Sequence, residues 1–243
     1  MKIKIREIGN PLVRSYVLET PLGWIAVDTG YAGGLKQYAR RFCGFAPLRE
    51  LKFAFLTHAH DDHTGFLGEL LQTAGARLVC SEKSVPRLAA GINAMPPGTV
   101  YLTRTAALLS GAIRHRALSP IIPNESAIIV RNEDDQPFLA LGLPIRILFL
   151  PGHTADSIAL LLEETGDLFC GDAAGNSFLA PARQSILVED FAEYQRSWDR
   201  MLAVNPSRIL PTHGNPFPPE DLVRYRHFMD GRKRIPAKES NSR

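Results

Sequence analysis

Leu51–Thr57 reads LKFAFLT and runs directly into His58-Ala59-His60-Asp61-Asp62-His63. The first seven residues form a short apolar run of the kind that makes a buried strand. The next six carry four metal-ligand side chains: His58, His60, Asp62 and His63. In an extended loop, His58 and His60 at positions i and i+2 point the same way. Asp62 and His63 fall where the chain turns into the next segment, Thr64–Ala74, whose Phe66, Leu67, Leu70 and Leu71 predict an amphipathic helix ending at Gly75. Strand, ligand-rich loop and helix in that order place chemistry at the edge of a sheet.

Outward from this stretch the same grammar recurs. His153 lies in Leu-Pro-Gly-His-Thr after the apolar run Ile145–Leu150. Asp172 lies in Cys-Gly-Asp after Leu168–Cys170, and His213 in Leu-Pro-Thr-His-Gly after Arg208–Leu210. Each candidate follows a short strand in a Gly/Pro loop, the position where α/β folds gather their ligands. Imidazole and carboxylate suit zinc or a similar divalent ion, and five His with two Asp are enough for two ions. His115, between two arginines, and His227, in the polar last helix, lack this context and are left out of the set.

The rest of the chain fits an α/β reading. Strands are expected at Lys2–Ile8, Leu12–Glu19, Trp24–Asp28, Arg77–Ser81, Ile128–Arg131 and Ile158–Leu162. Helices are expected at 33–45, 82–90, 190–204 and 220–229. No repeat or composition break divides it, so residues 1–231 read as one domain followed by a polar basic tail, 232–243. That tail explains the formal charge of +3: GRKRIPAKESNSR, residues 231–243, holds five Lys/Arg and one Glu, and the preceding body is close to neutral. A nucleic-acid partner is therefore not expected. No apolar run reaches the length of a membrane span, and the charged start MKIKIREIGN does not read as a signal peptide. Cys43, Cys80 and Cys170 are odd in number and widely spaced, so they read as buried thiols of a reducing, cytoplasmic setting.

The set His58-x-His60-x-Asp62-His63, then His153, Asp172 and His213, resembles the metallo-β-lactamase superfamily over nearly the whole chain. The resemblance implies a four-layer αββα sandwich with a two-metal site at the upper edge of its sheets. It implies that His58, His60 and His153 hold one ion, that Asp62, His63 and His213 hold the other, and that Asp172 bridges them. The ions would be zinc first, with iron or manganese accommodated by the same donors. Asp28 matches an early strand-end Asp that supports such sites from behind the ligands; as part of Asp-Thr-Gly it equally reads as a turn former.

Two such ions lower the pKa of a shared water and polarise a carbonyl or phosphoryl oxygen. Asp62 would then orient the nucleophile and pass a proton to the leaving group as the catalytic residue. His60, where a diiron redox branch carries Glu, favours hydrolysis. Asp172, where the family's zinc β-lactamases have Cys or Ser, argues against antibiotic cleavage. Thirty residues after His213 are too few for the C-terminal domain of glyoxalase II. Gly175 stands where acyl-homoserine lactonases carry Tyr, and the basic arm of tRNA-processing nucleases is missing. The expected activity is hydrolysis of a small ester, thioester or lactone. The alternative is a phosphodiesterase or nuclease served by Arg104, Arg114, Arg116 and Arg183, and a weaker one is a binding protein with structural metals. The Pro-rich stretch 92–126, apolar yet irregular, is expected to cover the site.

Overall fold

Alternating burial along the strands decides how the layers stack. A computed structural model describes residues 3–110, 118–178, 182–230 and 234–237. The strands of the first half are β1 (Lys4–Glu7), β2 (Tyr16–Thr20), β3 (Gly23–Val27), β4 (Leu51–Phe55), β5 (Arg77–Ser81), β6 (Val100–Tyr101) and β7 (Ile128–Val130). Those of the second are β8 (Ile145–Phe149), β9 (Ile158–Leu162), β10 (Asp167–Gly171), β11 (Leu187–Val188), β12 (Arg208–Pro211) and β13 (Ile235–Pro236). Among the described residues they form a six-stranded sheet, β1-β2-β3-β4-β5-β7, a four-stranded sheet, β12-β10-β9-β8, and a small sheet, β11-β6-β13.

Tyr16, Leu18, Ile25, Val27, Phe53 and Phe55 of the larger sheet meet Ile145, Ile147, Ile158, Leu160 and Phe169 of the smaller one in a common core. The intervening residues turn outward. Val17, Trp24, Ala26 and Ala54 pack under α1 (Leu35–Phe42), α3 (Leu67–Ala74) and α4 (Ser84–Ala90). Ala159, Leu161, Leu168 and Cys170 pack under α7 (Phe191–Ala203) and α8 (Glu220–Tyr225). A period of two along each strand thus feeds two cores at once, and the result is the four-layer αββα sandwich.

Several local expectations change in the structure. The helix expected over 64–74 is split: a single turn, α2 (Asp61–Thr64), precedes α3, with a break at Gly65-Phe66. The break has a steric reason, since a Cβ on Gly65 would lie 2.5 Å from Gly30 O and 2.2 Å from Ala32 N, so two loops touch backbone to backbone here. Cys43 is exposed, whereas Cys80 and Cys170 are buried, and all three are free. In the segment expected as a tail, Ile235 and Pro236 pair with Tyr101 and Val100.

The stretch 92–126 contains β6 and α5 (Arg104–Ser110), and residues 111–117, with His115, Arg114 and Arg116, lie outside the described residues. It then returns along α4 through Leu118 N to Gly91 O and Ile121 N to Leu88 O. A further short helix, α6 (Pro137–Ala140), seats Phe138 in the central core. No helix among the described residues is long and apolar enough to cross a membrane.

Candidate metal centre

Strand ends deliver the candidate donors. β4 ends two residues before Thr57, β10 ends at Gly171 and β12 at Pro211; β10 and β12 run parallel, so Asp172 and His213 leave adjacent strands on the same side. Gly171 lets the sheets close: its φ is +55°, and a Cβ there would stand 2.5 Å from Thr57 Oγ1.

Three imidazole nitrogens converge. His58 Nε2 lies 3.0 Å from His60 Nδ1, and His153 Nε2 lies 3.1 Å from the first and 3.2 Å from the second. Beside them stand Asp62, His63 and His213. His213 Nε2 is 3.0 Å from Asp62 Oδ2 and 3.3 Å from Asp172 Oδ2, and Asp172 Oδ1 is 3.7 Å from His63 Nε2. Asp172 Oδ2 also comes within 3.6 Å of His153 Nε2, so its carboxylate lies between the two clusters. All seven residues expected from the sequence are brought together, and three overlapping trios among them could hold a metal ion.

The far nitrogen of each ring fixes the near one. His153 Nδ1–H donates to Leu187 O at 2.8 Å and His213 Nδ1–H to Leu12 O at 2.7 Å. Thr57 Oγ1 donates to Asp28 Oδ2 at 2.8 Å, which leaves its lone pair to accept from His58 Nδ1 at 3.1 Å. His63 Nδ1 donates to the same Asp28 oxygen. In these four rings Nε2 is therefore the atom that points inward, where it can ligate. Asp28 combines both of its expected aspects, since it turns the chain at a φ of +56° and its carboxylate collects Thr57, His63 and Thr212.

Electrostatics divides the two clusters. Burial, reinforced by the neighbouring rings, holds His58 and His60 well below the ordinary histidine value, so both stay neutral and keep their lone pairs. Burial acts the same way on His63 and His213, but the carboxylates outweigh it: Asp28 and Asp62 around His63, Asp172 and Asp62 around His213, raise both well above that value. Burial pushes Asp62 and Asp172 up, and the two histidines pull them further down, so both remain carboxylates. His63 Nε2 and Asp172 Oδ1 are buried without a hydrogen-bond partner. Converging lone pairs and orphaned donors of imidazole and carboxylate type fit divalent cations, with neutral rings on one side and anionic oxygens on the other.

Some functional neighbours carry no sequence signal. Tyr31, partly exposed, stands beside Asp62, and burial together with the Asp62 charge keeps the phenol protonated. Arg87, Asp156 and Glu189 form a buried ion cluster behind the loops of His58, His60 and His153. Asp156, three residues past His153, is the nearest thing to a clue, because a charge inside a buried loop implies a partner. Arg183, a candidate cation for phosphate, is tied to Asp221 at 2.7 Å and lies over the Phe217 ring.

Comparison with known proteins points to the same fold. A family model described as the metallo-beta-lactamase superfamily matches residues 9–213. The chain is 26% identical over 216 residues to the metallo-beta-lactamase fold-containing protein ST1585 of Sulfurisphaera tokodaii, covering 87% of this chain and 76% of that one. The crystal structure of that archaeal protein superposes with a TM-score of 0.62 at 18% identity, covering 98% and 91% of the two chains. A beta-lactamase-like protein 2 homolog of Drosophila melanogaster is 37% identical over 81 residues, 33% of this chain and 25% of its own length. The lactamase-like protein vrtG of Penicillium aethiopicum is 28% identical over 218 residues. That match covers 85% of this chain and 54% of the fungal protein, so the chain spans only about half its length.

Proposed function

The chain belongs to the metallo-beta-lactamase superfamily, and from that premise we propose that it is a binuclear metal-dependent hydrolase of a small ester, thioester or lactone. The observation that carries the reading is the meeting of His58, His60 and His153 within 3.2 Å, beside Asp62, His63 and His213, with Asp172 between them. In this reading the first trio would hold one divalent ion and the second trio another, zinc before iron or manganese, with the Asp172 carboxylate a donor that could serve both. When bound, such a pair supplies Lewis acidity toward a carbonyl oxygen and acidifies water to near neutrality.

The protein's own groups supply orientation and proton traffic. Asp62, kept ionised by His63 and His213, accepts a proton from the attacking water and returns it to the leaving group. Tyr31, held as a neutral phenol beside Asp62, can donate toward this carboxylate or toward substrate at the mouth of the site. Asp28 and Thr57 hold the histidine tautomers throughout. Substrate enters as a small molecule, and the tied-down Arg183 weighs against a phosphodiester.

The test combines elemental analysis with a substrate panel: a nitrophenyl ester, a thioester, a lactone and a bis-nitrophenyl phosphate. Close to two metal equivalents per chain and turnover of the carboxylic substrates are expected. Asp172→Ala should lose activity and one equivalent while its circular dichroism is unchanged. Phosphodiester turnover alone would move the protein to the nuclease branch, and silence on all four would overturn the hydrolase reading.

A further inference from the structure

Beneath the three-histidine cluster lies a charge arrangement that touches none of the donors yet contacts the backbone of every loop that carries them. Asp156 Oδ2 accepts from Ala59 N at 2.9 Å, the peptide between His58 and His60, and from Ser84 Oγ at 2.7 Å. Glu189 Oε2 accepts from Ala155 N at 2.8 Å, two residues beyond His153, and Glu189 N donates to Gly152 O and His153 O. One residue joins the two carboxylates. Arg87, on α4, grips Glu189 with both terminal nitrogens at 2.7 and 2.8 Å and sets its Nε 3.3 Å from Asp156 Oδ1.

His58 and His60 follow β4 of the larger sheet, whereas His153 precedes β9 of the smaller one. Their spacing therefore depends on how the two sheets are tied at this edge. One backbone bond crosses the seam there, Ile158 N to Thr57 O at 2.8 Å, and what remains falls to side chains. A guanidinium suits that role: the Arg87 fork fixes Glu189 in direction as well as distance, and its charge stands 3.3 Å from Asp156 Oδ1, a buried oxygen with no hydrogen-bond partner. Both carboxylates are buried, Asp156 1% and Glu189 9% exposed, and the Arg87 side chain is half-buried. With two carboxylates against one guanidinium the cluster also carries a formal charge of −1 behind the three-histidine cluster, where a cation gains from it.

We propose that Arg87 is the positioning residue of the three-histidine metal position, linking the carboxylate that fixes Ala59 to the carboxylate that fixes the His153 loop. The inference rests on the metal reading above but not on any substrate. It predicts that disturbing Arg87 weakens one metal position and spares the other.

The experiment measures zinc affinity by chelator competition on the full chain in two backgrounds. His213→Ala leaves the three-histidine position as the stronger one, and His60→Ala leaves that of Asp62 and His63. Adding Arg87→Met should weaken zinc roughly 10–100-fold in the first background, with little change in the second. Equal losses in both, matched by a lower melting temperature of the metal-free protein, would mean Arg87 is merely structural and would overturn the proposal. So would an unchanged affinity in the first background. If His213→Ala alone binds no zinc, the metal reading itself fails, a result visible before Arg87 is touched. Should Arg87→Met not fold, Arg87→Lys decides by the same comparison: it keeps the charge, loses the fork, and should show a smaller loss confined to the first background.

Discussion

Asp28 Oδ2 accepts the Nδ1 proton of His63 at 2.8 Å, from a strand end 35 residues earlier in the chain. The same oxygen receives the Thr57 hydroxyl and lies 3.2 Å from that of Thr212. One carboxylate therefore sets the orientation of His63 directly and that of His58 through Thr57.

Asp28→Asn should be more harmful than its size suggests. One oxygen of the side chain becomes an N–H donor, which faces donors that all need an acceptor. We expect a loss of roughly 10–100-fold in metal affinity or hydrolysis and about 1–3 kcal/mol of stability from groups left unpaired in the interior. Chemical denaturation of the metal-free protein and zinc titration read the two effects separately. A variant indistinguishable from the parent in both would show that the Asp28 hydrogen bonds do not matter.

Gly171→Ala meets two obstacles, a left-handed φ of +55° and a Cβ only 2.5 Å from Thr57 Oγ1. Backbone strain and overpacking together should cost about 2–4 kcal/mol, with loss of activity because Thr57 and Asp172 are displaced. Gly75→Ala is the control: its φ is +69°, with nothing within 4 Å of the added carbon. Thermal unfolding should rank Gly171→Ala well below Gly75→Ala, and the opposite order would contradict the close approach.

Metal removal should make stability pH-dependent. His63 and His213 are raised above the ordinary value of 6.5 in the folded protein. Their stabilisation is therefore fully present below that value and is lost as pH rises through the folded one. Asp62 and Asp172 are lowered from 3.8, so their contribution is present above 3.8 and disappears as pH falls through the folded values. The melting temperature of chelator-treated protein should peak between the two limits and decline into the alkaline range. Zinc should flatten the alkaline decline, because ligation replaces the proton on each ring. A metal-free protein equally stable from pH 6 to 10 would contradict this.

The strands, and with them the α/β class, were legible because burial leaves apolar runs such as Leu51–Phe55, and Ile158–Leu162 is bounded in sequence and structure alike, whereas the four-layer sandwich was implied by the family resemblance. The donors were legible because they sit beside those runs in loops marked by Gly and Pro. What escaped is held by tertiary contacts. Arg87 looks like any surface cation on a short helix until Asp156 and Glu189 close on it from 69 and 102 positions away. β6, β11 and β13 are two residues each, too short to show a period, and β13 falls where charge alone suggests a free tail. The covering role expected of 92–126 meets a more specific arrangement: Asn93 is bonded to Asp61, and β6 pairs with β11, whose Leu187 carbonyl holds His153.

Each of the two large sheets is built from one contiguous part of the chain, β1 to β7 without β6 in the first and β8 to β12 without β11 in the second. The candidate donors divide the same way: His58, His60, Asp62 and His63 lie in the first part, and His153, Asp172 and His213 in the second. Neither part owns a complete coordination set. Cation capture is thus a reporter of assembly, since it registers only when the two half-chains have docked in register, and the ion would act as a rivet across their seam.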